Sequence, residues 1–131
     1  MKSIFLALCL TFTTVAAYGS SCTEVKGGIV TVRDSLLGML KDKSKRTPEQ
    51  KKLVADSCEK VTNAIAGLPH SPASNDKFEE MKKIWNDFKK VREEQVVPMI
   101  EQGKDAEAEK LATGEQKDRL MKIISMCDQI K

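Results

Sequence analysis

The feature that most constrains this chain is the spacing of its apolar residues. From about residue 22 onward they recur every three or four positions, and no segment alternates in twos as a strand would. A 3.6-residue period marks amphipathic helices, each of which must bury its stripe against another element. The first helix is expected over residues 22–43, with Val25, Ile29, Val32, Leu36, Leu37 and Leu40 on its stripe and Gly27-Gly28 weakening its start. The second opens at Thr47-Pro48-Glu49-Gln50, a capping threonine followed by proline at the first helical position. Its stripe is Val54, Cys58, Val61, Ile65 and Leu68, and Pro69 and Pro72 end it, because proline has no N–H to donate. The third carries Phe78, Met81, Trp85, Phe88, Val91 or Arg92, Val96 and Met99; Pro98 should kink its last turn and Gly103 stop it. The fourth starts near Asp105 and carries Ala108, Leu111, Ala112, Leu120, Ile123, Ile124, Cys127 and Ile130. Such helices are about 30 to 42 Å long. Hinges as short as 43–46 and 103–104 force neighbours to run antiparallel. The expected fold is all-α, an antiparallel up-down-up-down four-helix bundle over residues 22–131.

Residues 1–19 read as a signal peptide. Lys2 supplies a positive start, residues 4–12 an apolar run, and Ala16, Ala17, Gly19, Ser20 and Ser21 the small residues a signal peptidase needs, with cleavage near 17–21. The run is shorter than the roughly 20 residues that cross a bilayer. No later stretch is long and apolar enough, so a periplasmic or secreted protein with no membrane span is expected. Lipoprotein anchoring at Cys22 is the lesser alternative, because Gly19 stands where a lipobox wants a large aliphatic residue. The formal net charge of +3 falls to +2 without Lys2, and the charges are mixed in sign. With one tryptophan and one tyrosine there is no ladder for stacking bases, so no nucleic-acid partner is expected.

Three cysteines follow the leader: Cys22, Cys58 and Cys127. By rise per residue, Cys22 and Cys127 both stand roughly 32 Å from the 43–47 end and Cys58 about 17 Å. First and last helices of such a bundle are neighbours, so Cys22–Cys127 is the favoured disulfide in an oxidising compartment. Closing about a hundred residues, it would contribute on the order of 4 kcal/mol. Cys58, on an apolar stripe, reads as a buried free thiol.

Little in the chain suggests catalysis. His70 is the only histidine and sits between Pro69 and Pro72, where a solvated loop residue is expected. There is no phosphate-binding glycine loop, no haem-attachment sequence and no cysteine pair at zinc-ligand spacing. Neither enzymatic activity nor a cofactor or metal is expected. The informative residues are polar ones on or beside the stripes: Arg33, Arg92, Gln95 and Gln116. By helical rise all four lie roughly 10 to 17 Å from one bundle end, near the level of Cys58. One layer with two guanidinium groups and two amides would suit a small anion, since arginine binds carboxylates bidentately. The competing reading has the arginines laying their stems over the core with their heads in water. Met81, Trp85 and Phe88 read as core rather than as a ligand cage.

The second half resembles a known family. Trp85-x-x-Phe88, Arg92, Val97-Pro98-x-Ile100-x-x-Gly103-x-x-x-Glu107-Ala108 and Leu111-Ala112-x-Gly114 are similar to the periplasmic four-helix-bundle sensor domains of methyl-accepting chemotaxis receptors. That resemblance implies a domain that binds a small ligand, often as a dimer. A homodimer would use the side bearing Val97 and Ile100. The chain departs from the receptors in having no second membrane segment and no signalling helices, which leaves a stand-alone module. Glu101-Gln102-Gly103-Lys104 and Glu107-Ala108 also resemble the turn of soluble periplasmic b-type cytochromes. Those hold haem between an early methionine and a late histidine. Here Met39 is at the far end of the first helix, and Met121 and Met126 supply no imidazole, so haem is not expected. The sequence therefore points to a non-enzymatic, exported, sensor-like module binding a small ligand. A protein-interaction or chaperone-like module with a periplasmic protein partner is the alternative, and a cytochrome-like bundle the third reading.

Overall fold

Helix starts are chosen by side chains that satisfy the first free N–H groups. Ser21 accepts from the Glu24 amide at 3.2 Å to open α1 (Cys22–Lys41), and Thr47 accepts from Gln50 at 3.1 Å to open α2 (Pro48–Ala66). The computed structural model describes residues 21–130, so the signal peptide read at residues 1–19 lies outside the described residues. After α2 come α3 (Asn75–Val91), a π-helical turn (Arg92–Val96), α4 (Val97–Glu101), α5 (Asp105–Thr113) and α6 (Glu115–Cys127). The described residues are helical with no strand, and form four rods: α1, α2, α3 continued through the π turn into α4, and α5 with α6. None of these helices is long and apolar enough to cross a membrane.

The third rod is broken as its proline requires. Pro98 has no N–H for the Glu94 carbonyl and its ring would crowd that oxygen. The turn before it widens, and the Val97 amide reaches back five residues to Arg92. The wide turn also resets the stripe. Phe78, Met81, Trp85 and Phe88 step by threes and fours, but Arg92, Val96 and Ile100 then step by fours. Ile100 is therefore buried, at 2 % exposure, where the sequence reading had Met99 on the stripe and Ile100 on a face for a second copy. α4 ends in a Schellman motif: Lys104 N–H bonds the Met99 carbonyl at 2.8 Å and Gly103 N–H that of Ile100 at 3.2 Å. Gly103 has φ +74°, which a side chain would strain. The fourth rod, expected to run unbroken from Asp105, divides at Gly114.

α1 packs chiefly on α2 and α3 on α6, with α1 also touching α5 and α6. Along α1 the buried residues are Val25, Ile29, Val32, Leu36 and Met39, so Met39 takes the place given to Leu37 and Leu40, which are half-buried. The glycine pair does not simply weaken this helix. A Cβ on Gly28 would stand 2.6 Å from Val61 Cγ2, so a bare backbone there lets α1 and α2 approach. In the core Trp85 and Phe88 stack at 5.1 Å, and the Trp85 indole donates to Thr62 Oγ1 at 2.9 Å.

Two junctions tie the rods. At one, Cys22 and Cys127 are bonded, with Cα atoms 5.7 Å apart; Lys26 pairs with Asp128 at 2.8 Å and Lys77 bonds Gln129 at 2.7 Å. At the other, Arg46 serves several partners. Its Nε donates to the Met39 carbonyl at 2.8 Å and Nη2 to that of Leu40 at 3.2 Å, capping carbonyls that α1 leaves free. Nη1 lies 3.5 Å from the Ile100 carbonyl and 3.0 Å from Asp105 Oδ1. That guanidinium holds the Asp105 carboxyl below its usual 3.8.

Candidate functional site

Arg92 stands where the apolar stripe of the third rod would otherwise continue, and the π turn sets where its side chain goes. It is 5 % exposed as a residue. Its Nη2 donates to Glu93 Oε1 at 2.7 Å, while Nε is buried and has no acceptor among the described residues. An unmatched charged donor in the interior is costly, so its position calls for an explanation. Arg92 is one of the residues lining a groove of about 260 Å³, with Met39, Lys51, Val54, Ala55, Glu93 and Val97. Its walls are apolar, and its charges are two cations and one anion. Lys51 is itself paired with Glu101.

The four residues expected to form one layer separate here. Arg92 borders the groove just described. Gln95 is exposed and lines a different groove, of about 440 Å³, with Met99, Glu107, Lys110, Leu111, Gly114 and Glu115. Arg33 is exposed on α1. Gln116 is 1 % exposed, but its polar atoms are spent on the chain: Nε2 donates to the Phe88 carbonyl at 3.0 Å, and Oε1 accepts from Arg119 at 2.8 Å. It ties α6 to α3 just after the break at Gly114. Rise per residue predicts a height for each of these residues but not the direction of its side chain, because the π turn and the Gly114 break both reset the helical phase.

Lys51, Glu93 and Arg46 were missed. Glu93 reads in sequence as one of an adjacent acidic pair on a solvated face, and it is indeed mostly exposed. Its carboxylate nonetheless reaches back to Arg92 within the π turn. Arg46 sits in a hinge, where sequence patterning has no phase to offer. Its place directly before the Thr47-Pro48 helix start was the one available signal.

Cys58 is a buried free thiol, 1 % exposed. Burial pushes it up from its usual value, against the pull of Arg92 and Lys89. A thiol held protonated in this way is a poor nucleophile. His70 is exposed, but not merely solvated. Its ring stacks on Phe78 at 3.9 Å, and its Nδ1 lies 3.1 Å from the Leu68 carbonyl, which accepts only and so places the proton on Nδ1. Among the described residues no group of three or more His, Cys, Asp or Glu is arranged to hold a metal ion. The chain matches no family model, no curated protein and no solved structure.

Proposed function

We propose that this chain is an exported, non-enzymatic, sensor-like binding module, an up-down-up-down four-helix bundle that takes a small anionic ligand at Arg92. The observation that carries this reading is the buried Arg92, which lines an apolar groove and whose Nε has no acceptor among the described residues. Ligand sites are mostly apolar, with a few placed polar groups that fix orientation, and this groove has that composition. The alternating topology is supported by the two junctions. The start of α1 and the start of α3 meet the end of α6, whereas Arg46, at the end of α1 and start of α2, meets the end of α4 and the start of α5. Export is supported by the Cys22–Cys127 bond, which persists in an oxidising compartment and leaves no free thiol at Cys22 for a lipid. The resemblance to chemotaxis-receptor sensor domains agrees in chemistry, since those domains bind small ligands.

Native mass spectrometry of the chain purified from its own host tests the reading. A bound small molecule is expected, and it should be lost in Arg92→Ala. A ligand retained by that variant would remove Arg92 from the site. The protein-interaction reading has less behind it: the large exposed apolar residues Val30, Leu53 and Met121 lie on three different helices. Scattered exposed apolar residues of this kind are ordinary on a protein surface.

A further inference from the structure

We propose that the Arg92 groove takes a monocarboxylate with one compact apolar body, about the size of benzoate, and that Glu93 is the chain's own competitor for the carboxylate seat. The inference rests on the reading of this groove as a ligand site, and it adds a class of ligand and a means of tuning.

A guanidinium offers its Nε–H and Nη2–H side by side, at the spacing of the two oxygens of one carboxylate. In this chain that edge is half filled. Glu93 Oε1 takes Nη2 at 2.7 Å, and Nε has no acceptor among the described residues. The two partners are unequally held, since the side chain of Arg92 is 6 % exposed and that of Glu93 is 65 % exposed. Arg92 is fixed in the interior, while Glu93 can turn out into water at little loss, as exposed ion-pair partners do. Nε is closed to solvent in this arrangement, so a ligand carboxylate fills both positions only as Glu93 turns away, satisfying the orphaned N–H and releasing Glu93 to solvent.

Charge then sets the valence. Lys51 is already matched by Glu101, so displacing Glu93 leaves one uncompensated positive charge in the groove, that of Arg92. A monoanion balances it, and a second carboxylate would find no free cation among the lining residues. Size sets the body. A cavity of about 150 Å³ holds a benzene molecule. The groove, at about 260 Å³ and walled by Met39, Val54, Ala55 and Val97, has room for one ring and its carboxylate.

Isothermal titration of the full, disulfide-bonded chain with benzoate, benzamide and succinate tests this, using wild type, Glu93→Gln and Arg92→Lys, each shown to be folded by its thermal melt. Benzoate should bind. Benzamide, which has the same shape without the charge, should bind about tenfold more weakly or worse. Glu93→Gln should tighten benzoate by about two- to fivefold, the scale of an exposed ion pair. Arg92→Lys, which keeps the charge but loses the fork, should weaken it about tenfold or more. Succinate binding more tightly than benzoate, no benzoate binding at millimolar concentration, or an unchanged or weakened benzoate affinity in Glu93→Gln would each overturn the inference. The site reading fails on different grounds, namely a host ligand that survives Arg92→Ala.

Discussion

The pair α1 and α2 and the pair of rods made by α3–α4 and α5–α6 bury their apolar stripes in different ways. In the first pair the stripe is regular. Val25, Ile29, Val32, Leu36 and Met39 alternate steps of four and three, and face a partner whose Val54, Cys58, Val61, Ile65 and Leu68 do the same. Gly28 removes the one Cβ that would hold the backbones apart. In the second pair regularity fails twice, at the π turn before Pro98 and at Gly114, and the long buried polar side chains Arg92 and Gln116 are found beside these breaks. The regular pair is built for packing. The irregular pair gives up ladder geometry, and in exchange side chains that a straight helix would aim into the core or into water reach carbonyls, a carboxylate and a groove.

The largest test of this contrast is the bond that joins the two pairs. Cys127→Ser should lower the unfolding free energy by about 4 to 5 kcal/mol by the chain-entropy account, read by urea denaturation with Trp85 fluorescence. A loss below about 1 kcal/mol would mean that the pairs hold together without it. Next is the close approach at Gly28. Gly28→Val should cost about 1 to 3 kcal/mol by overpacking, and Val61→Ala in the same chain should recover much of it. Strict additivity of the two would place the crowding somewhere other than Val61. Within the irregular pair the two buried polar residues should part company. Gln116→Leu removes one bond each from Arg119, which keeps Glu115, and from the Phe88 carbonyl, which keeps the Arg92 amide, and should cost about 1 kcal/mol. Arg92→Met, which removes a buried guanidinium whose Nε has no acceptor, should be neutral or stabilising. An Arg92→Met variant that melts well below Gln116→Leu would make Arg92 a structural residue and blur the distinction drawn above.

The smallest expected effect is at acid pH. Asp105 has its folded value lowered by Arg46, so the stability it contributes is fully present above about pH 4 and drains away as pH falls through that lowered value. Asp105→Asn should flatten the fall of melting temperature over that acid range and leave the neutral range parallel to wild type. Asp42, lowered by the Ser44 hydroxyl and amide, titrates in the same sense and accounts for part of the slope that remains. If Asp105→Asn kept the full acid slope, the Arg46 junction would not be among the groups that acid releases.

What sequence patterning could and could not reach follows the same division. On α2 every apolar residue assigned to the stripe is buried, because the helix has a capped start, no internal breaker and one phase throughout. The pairing of Cys22 with Cys127 was accessible for a similar reason, since it needs only height along the rods. Beyond Val96 the reading drifted by one residue, to Met99 instead of Ile100. A proline announces a disturbance but not whether the chain answers with a bend or with a wider turn. Arg92 was singled out because an arginine in a stripe is conspicuous. Its partner Glu93 was not, because neighbouring residues on a helix point about 100° apart and meet only when long side chains bend toward each other. Arg46 escaped entirely, since three of its four partners are backbone carbonyls, which every residue has.

The bond between Cys22 and Cys127 has a mechanical consequence. It closes a ring of covalent bonds around almost all of the described chain, its two cysteines standing 105 positions apart in sequence. Tension applied at those two points runs through a single pair of atoms and never reaches the helices. A protease that nicks the segment between α2 and α3 leaves one molecule rather than two, its pieces still strung on the same loop. A cut opens the ring but only a reductant lets its pieces part, so the redox state of the surroundings decides whether force or cutting can take this protein apart.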